Sequence, residues 1–384
     1  MEEDLKLRNA IKILNVLNEK GFEAYIVGGY VRDRLLGIES KDIDITTNAL
    51  PSVVQELFPS NFSKSLKYQT VNVILDETEY EITTYRVDLS YKDHRHPESK
   101  VSSSLKSDLR RRDFTVNAMC MDKDQKIIDY VGGKEDLENK ILRTVGIPRK
   151  RFSEDALRMF RAFRFASRLG FTIDSDTYEG IKKNASLIKY VSKERIKDEL
   201  TGILIAPYLK DNLSLINDSG IFKLYPGLKA AFMVLERNYY PLDFLSLTAL
   251  SSYLLGDLSE ELLLSKKERK TVKDILHFIE LFKEKKATPL SFIDFEYQPI
   301  EYAILIMKVL DMPIYDNTEI KQIYEDMPIK NMKDLSINGD DIKKYLQLSD
   351  SPLIKTYLNK AASLVIYDHI PNEKEILLEK LRES

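Results

Sequence analysis

Two aspartates, Asp42 and Asp44, stand one residue apart in KDIDITT, with Ile43 between them and Ile45 after them. In an extended segment, residues two apart point to the same side, so the two carboxylates project together. Adjacent carboxylates repel unless a cation lies between them. An oxygen-rich pair of this kind suits Mg²⁺, which often takes one or two carboxylates plus substrate phosphates. A polar edge strand with solvated aspartates is the other reading of D-x-D alone. The preceding segment favours the metal. In GGYVRD, Gly28 and Gly29 end an apolar run just before a helix start, where backbone N–H groups hold a phosphate. Most glycine pairs, however, are simply turns. Glu81, in YEITTYR, is a candidate third carboxylate or an exposed strand glutamate.

Two further segments carry charge that a stable fold does not require. Arg110, Arg111 and Arg112 precede Asp113 in RRDFTVNA. A guanidinium donates to phosphate and a carboxylate accepts from a hydroxyl, so Arg112 and Asp113 suit phosphate or ribose. A cap or salt bridge is the alternative for Asp113. In EDALRMFR, helical spacing puts Ala156, Met159, Phe160, Phe163 and Ala166 on one face and Arg158, Arg161, Arg164 and Arg168 on the other. Asp155 falls one turn from Arg158, and a surface ion pair would account for the segment taken alone. The chemical reading goes further. Cytosine and adenine each offer an amino donor beside a ring-nitrogen acceptor, while uracil and guanine present the reverse. An Asp/Arg pair therefore accepts CTP and ATP and refuses UTP and GTP, because mismatched buried polar groups are rejected strongly. Together the segments point to a metal-dependent enzyme that handles nucleotides.

The elements that must position these groups are legible in outline. Leu5 to Glu19 has helical spacing of Ile11, Leu14 and Leu17. Ala24 to Val27 reads as a strand running into the glycine turn, and Val31 to Leu36 as a helix stopped by Gly37. Ile43 to Thr46 is a strand, and Pro51 opens a helix. Val71 to Leu75 with Tyr80 to Arg86, and Asn117 to Met121 with Ile127 to Tyr130, read as strand pairs. After Pro148 alternation gives way to helical patterns: Glu154 to Leu169, Lys193 to Leu204, Glu268 to Lys283 and Pro352 to Tyr367. Ser153 or Glu154 starts the first of these, with acidic residues in its first turn. Residues 1–147 form an α+β head, followed by helical segments 148–210, 211–310 and 311–384.

Composition sets bounds. A chain of 384 residues buries a full core and splits into two or more domains. A net charge of -3 argues against a wholly basic surface but allows a local basic groove. One cysteine, Cys120, excludes a disulfide framework and a cysteine-rich zinc site, and fits a reducing compartment. The N-terminus lacks the apolar core of a signal peptide, and no stretch is apolar enough to span a membrane. The expected location is cytoplasmic.

The segments, in this order and spacing, resemble those of the class II tRNA nucleotidyltransferases, the CCA-adding enzymes of the DNA polymerase β-like superfamily. The likeness is detailed over residues 24 to 200. AYIVGGYVRDRLLG with KDIDITT resembles the motif that holds metals and triphosphate. RRDFTVNAM resembles the ribose-selecting motif, RFSEDALRMFRAFRFASRLGF the base-recognising motif, and KERIKDEL the helix that supports it. The resemblance implies a nucleotidyltransferase head and an all-α neck, body and tail that grip tRNA. It implies Mg²⁺ on Asp42 and Asp44, Gly28, Gly29 and Arg32 beside the triphosphate, Arg112 and Asp113 facing the sugar, and Asp155 and Arg158 reading the base, with Glu154, Arg161 and Arg164 nearby. Ser90 to Ser99, SYKDHRHPES, resembles the loop implicated in the switch from CTP to ATP. His94 and His96 within it lack the further histidines of a metal site. With four histidines and no His-Asp doublet, no appended phosphohydrolase domain is expected.

The expected activity is template-free addition of C, C and A to the tRNA 3′ end, with release of pyrophosphate and two-metal-ion catalysis. The rivals are a CC-adding or A-adding enzyme, a poly(A) polymerase, a small-molecule nucleotidyltransferase and a non-catalytic RNA-binding protein. Contact with RNA should use shape and backbone, through patches such as Arg149 to Arg151 and the arginine face of the helix. Oligomeric state is left open.

Overall fold

The computed structural model describes residues 2–40, 42–59, 62–63, 69–91, 97–102, 104–256, 262–313, 315–347 and 352–383. The chain divides into two compact units, one ending at Tyr225 and one beginning at Pro226. The boundaries expected at 147 and 210 fall inside the first unit and that at 310 inside the second.

Among the described residues, the first unit holds all the strands: β1 (Ala24–Val27), β2 (Asp44–Thr47), β3 (Phe62–Ser63), β4 (Thr70–Leu75), β5 (Thr78–Thr84), β6 (Arg86–Tyr91), β7 (Pro97–Val101), β8 (Met119–Met121), β9 (Ile127–Asp129), β10 (Ile141–Leu142) and β11 (Thr172–Ile173). Among the described residues, seven of them form one mixed sheet in the order β3-β4-β5-β2-β1-β8-β9. β1 runs antiparallel to both β2 and β8, and β2 runs parallel to β5 with Asp44 opposite Glu81. β6 and β7 make a separate hairpin. The expected switch loop, Ser90 to Ser99, overlaps the end of β6 and the start of β7, and its residues 92–96, His94 and His96 among them, fall outside the described residues. Beyond Pro148 one pairing breaks the expected run of helices: β11 pairs in parallel with β10.

The helices of this unit are α1 (Glu2–Glu19), α2 (Gly29–Leu35), α3 (Pro51–Leu57), α4 (Leu105–Arg110), α5 (Gly133–Glu138), α6 (Pro148–Glu154), α7 (Leu157–Leu169), α8 (Ser175–Asn184), α9 (Lys193–Leu204) and α10 (Leu209–Asp218). α1 buries Ala10, Ile13, Leu14 and Leu17, so its inner face is turned slightly from the expected one and Ile11 lies at its edge. α7 buries Met159, Phe160, Phe163 and Ala166 completely, which leaves its arginines on the other side. α9 packs against α7, its Ile196, Leu200 and Ile203 fully buried.

The second unit is helical throughout its described residues, with α11 (Pro226–Arg237), α12 (Phe244–Leu255), α13 (Lys266–Lys283), α14 (Tyr297–Val309), α15 (Asn317–Asp326), α16 (Gly339–Leu346), α17 (Leu353–Ile366) and α18 (Lys374–Arg382). Phe278, Phe282 and Phe292 fill part of its core. The expected α+β head followed by helices is the architecture observed. Among the described residues, no helix is long and apolar enough to cross a membrane.

Candidate active site

A cleft of about 900 Å³ in the first unit is lined by Gly28, Gly29, Arg32, Asp42, Asp44, Arg112, Asp113, Asp155, Arg158, Arg161 and Arg164. These are all the sequence-picked residues except Glu81 and Glu154. Eight arginines and six acids line it. A chain of net charge -3 thus carries one locally basic hollow.

β2 begins at Asp44, one residue later than expected, so Asp42 stands just before the strand. The alternation holds regardless. Ile43 and Ile45 are buried while Asp42 and Asp44 are exposed. Asp44 opens to the cleft but is ringed by protein. Loss of surrounding water, then Glu81 and Asp42, raise its pKa to about 6, against the opposing pull of Arg112. Glu81, beside Asp44 in the β-ladder, lines an adjoining hollow of about 430 Å³ that shares Asp44, Arg111 and Arg112 with the cleft. Among the described residues, no three His, Cys, Asp or Glu side chains converge to hold a metal by themselves. Two open carboxylates, with Glu81 beside Asp44, suit an ion that completes its shell with water and phosphate.

Gly28 sits at φ +79°, ψ −133°, a backbone region essentially confined to glycine. A Cβ there would stand 3.2 Å from Arg112 Nη1. The turn needs glycine because the backbone and this guanidinium share one corner of the cleft. Arg32, expected beside the triphosphate, is buried. It donates to Asp33 at 2.8 Å and to Asn117 at 2.5 Å, and lies over the Phe165 ring. It lines the cleft as part of an internal brace.

The RRD segment divides in three. Arg110 is exposed on the last turn of α4, while Arg111 and Arg112 face the cleft. Asp113 makes the salt bridge that was its alternative reading. Its Oδ2 accepts from Arg161 at 2.7–2.8 Å, and its Oδ1 accepts from Phe114 N–H at 2.8 Å and Asn117 at 3.3 Å. Burial alone would raise this carboxyl, but Arg161 and the hydrogen bonds outweigh it and hold the pKa at about 2. A ribose hydroxyl would have to share an acceptor already serving three residues.

The base-reading segment differs most from expectation. One helix from Glu154 was expected. Instead α6 ends at Glu154, Asp155 is extended, and α7 starts at Leu157. Asp155 Oδ1 accepts from Leu157 N–H at 3.1 Å and its Oδ2 from Arg195 on α9 at 3.0 Å. Arg158 donates to Glu154 at 3.1 Å and to the Arg151 carbonyl at 3.0 Å. The surface ion pair that was the segment's alternative reading is thus not the one formed: Asp155 and Arg158 are separately braced and line one cleft. Arg164 stacks on Phe165 and donates to Glu199 at 2.6 Å. A Cβ at Gly202 would lie 2.5 Å from Arg164 Cδ. Arg195 and Glu199 were missed as individual residues. Their i,i+4 spacing beside the apolar stripe of KERIKDEL was the available signal. Arg151, expected in an RNA-facing patch, is buried and donates to Glu154 and to the Arg111 and Arg112 carbonyls. Arg149 and Lys150 are exposed.

Residues 24–143 match the family described as the Poly A polymerase head domain, 170–232 the probable RNA and SrmB-binding site of polymerase A, and 247–381 tRNA nucleotidyltransferase domain 2. The chain is 37% identical to the CCA-adding enzyme of Bacillus pumilus, covering 97% of this chain and 96% of that one. It is 34% identical to the CCA-adding enzyme of Ligilactobacillus salivarius, covering 98% and 96%. The crystal structure of the Bacillus stearothermophilus CCA-adding enzyme in complex with CTP superposes with a TM-score of 0.84 at 32% identity, over 98% of this chain and 96% of that one. The Thermotoga maritima CCA-adding enzyme complexed with tRNA shares the fold at 22% identity and a TM-score of 0.69, over 98% and 94%. With relatives this similar over nearly its whole length, the chain belongs to the CCA-adding enzymes, a family of nucleotidyltransferases.

Proposed function

We propose that this nucleotidyltransferase adds C, C and A in turn to the 3′ end of tRNA from CTP and ATP, in the arginine-lined cleft of its first unit. The observation that carries the reading is the pairing of open carboxylates, Asp42 and Asp44, with a braced acceptor and donor, Asp155 and Arg158, in one arginine-lined hollow. The first pair suits phosphoryl transfer and the second a choice among bases.

The donor set fits Mg²⁺. The pKa of Asp44 is raised to about 6 by loss of surrounding water and by the neighbouring acids Glu81 and Asp42, beyond what Arg112 offsets, and a divalent cation relieves that condition. Asp42 and Asp44 would hold the ion, and when bound it supplies Lewis-acid charge to phosphate oxygens and eases ionisation of the attacking hydroxyl. Phosphoryl transfer otherwise asks mainly for positioning and charge. Arg112, reaching past Gly28, meets the triphosphate. Asp155 accepts from the base amino group and Arg158 donates to the ring nitrogen. Asp113 holds Arg161 against the floor. We further propose that residues 1–147 act as catalytic head, 148–210 as neck, and 211–310 and 311–384 as body and tail against the tRNA, with cytoplasmic location.

The test is extension of tRNA lacking its last three nucleotides, with Mg²⁺ and CTP, ATP or both. Two additions with CTP alone and one further A with both are expected. Stopping at CC, adding A only to a CC end, or growing a long A tail would each overturn the reading in favour of one rival. The whole-chain likeness to CCA-adding enzymes speaks against a poly(A) polymerase and against a non-catalytic RNA-binding protein.

A further inference from the structure

Asp108 belongs to none of the segments used so far. It lies on α4, and its carboxylate is wholly buried. A buried carboxylate persists only where it is well partnered, and its partners come from three places. Oδ1 accepts from Arg111 Nε at 2.9 Å and from the backbone N–H of Arg86 at 3.3 Å. Oδ2 accepts from Thr46 Oγ1 at 3.3 Å and from Arg112 Nη2 at 3.5 Å. Thr46 sits on β2 two residues after Asp44, and Arg86 opens β6. Arg111 and Arg112 line both the cleft and the adjoining hollow. While Asp108 holds Arg112 by Nη2, the other amino group, Nη1, faces Gly28. One acid therefore grips two neighbouring guanidiniums from behind and ties them to the strand that carries Asp44. Without it, two like charges in a poorly hydrated corner would repel and lose their shared direction.

We propose that Asp108 is a positioning residue for the nucleoside triphosphate, acting through Arg111 and Arg112. The inference rests on the reading that this cleft takes CTP and ATP. Its mark is on binding of the phosphates rather than on the chemical step, because the buried carboxylate lines neither the cleft nor the adjoining hollow. It acts alike on both nucleotides, since the triphosphate is common to them.

The test compares the full-length wild type with Asp108→Asn at saturating Mg²⁺ on tRNA lacking its 3′ end. Asparagine keeps the shape and one acceptor but removes the charge. KM for CTP and for ATP is expected to rise about tenfold, with kcat within about threefold, the signature of lost uniform binding. The inhibition constant of pyrophosphate should rise in the same proportion. In an Arg112→Gln background the substitution should add much less, because the two act as one unit. Unchanged KM with fewer active molecules is what a purely structural role gives, and it would overturn the inference. If Asp108→Asn does not fold, Thr46→Val loosens the same carboxylate. A KM rise of about threefold at constant kcat is then expected, and an unchanged KM overturns the proposal. A wild type that incorporates no CTP would instead sink the functional reading and this inference with it.

Discussion

The two ends of the cleft treat carboxylates in opposite ways. At one end Asp42 and Asp44 are exposed and form no ion pair among the described residues, and loss of surrounding water, with Glu81 and then Asp42 adding to it, lifts Asp44 to about 6. At the other end Asp113 and Asp155 each hold an arginine, and Asp113 is driven down to about 2. The start of β2, the central strand of the sheet, leaves its acids short of positive charge, and α7 and α9 satisfy theirs. The first arrangement suits a cation, as proposed above. The second is finished before any ligand arrives, so its polar groups need little reorganisation when a base comes in.

The sharpest way to break this contrast is at the open end. Asp44→Asn should lower kcat/KM by about a thousandfold or more, several kcal/mol of transition-state charge stabilisation. It should leave thermal stability unchanged or slightly raised. The sign follows from the raised pKa. The folded state holds this proton more tightly than the unfolded chain, so above about pH 6 the ionised Asp44 costs the fold stability. Measured at pH 8, a variant that melts much earlier than the wild type would refute the claim that the pair is unsatisfied. For the wild type, activity at limiting Mg²⁺ should rise with pH through about 6, and saturating Mg²⁺ should move that midpoint down. A midpoint indifferent to Mg²⁺ would separate Asp44 from metal binding.

The closed end predicts the reverse. Asp113→Ala removes the nearest acid from Arg161, leaving it Glu199 at 3.6 Å and the Phe165 ring, and should cost about 1.5–3 kcal/mol, the range for hydrogen bonds to charged groups. Because the folded pKa is depressed to about 2, this stabilisation is complete above the unfolded value of about 3.9 and fades as pH falls toward 2. Denaturation of wild type and variant at pH 7 and pH 2.5 checks it. An equal gap at both pH values would mean that packing, not charge, was lost.

Why one end was easier to read than the other has a local cause. The open end is written in short-range pattern: alternating Asp42, Ile43, Asp44 and Ile45 beside a glycine turn gave both strand and site, off by one residue in the strand start. The closed end is made of long-range pairs, Asp113 with Arg161 and Asp155 with Arg195, and nothing local announces which arginine meets which acid. The break at Asp155 was hidden for a related reason. Phe152, Ala156, Met159 and Phe163 keep helical spacing straight through it, with no glycine or proline to mark the interruption. The helical second unit was legible as a class from periodicity, while its individual contacts were not.

Selectivity offers a finer cut. Asp155→Ala removes the acceptor that meets an amino group and frees Arg195, while leaving Asp42 and Asp44 untouched. Incorporation of UTP relative to CTP should rise about 10- to 100-fold, with CTP addition itself reduced less. Single-turnover competition between the two nucleotides measures it. Unchanged refusal of UTP would move base reading away from Asp155 and leave the closed end a structural brace.

The smallest effect separates two neighbours that the sequence set side by side. Arg149 is exposed and Arg151 is buried against the carbonyls of Arg111 and Arg112. If Arg149 meets an RNA phosphate, Arg149→Ala should weaken tRNA binding about two- to threefold at moderate salt and reduce the salt slope by roughly one ion. Stability should not change. Arg151→Ala should do the converse, lowering the melting temperature and disturbing Arg111 and Arg112 without altering the slope. Filter binding of tRNA at several salt concentrations, run beside melting curves of both variants, distinguishes them. An Arg149 variant with the wild-type slope would take that residue out of the RNA interface and leave the arginines of α7 as the basic surface to test next.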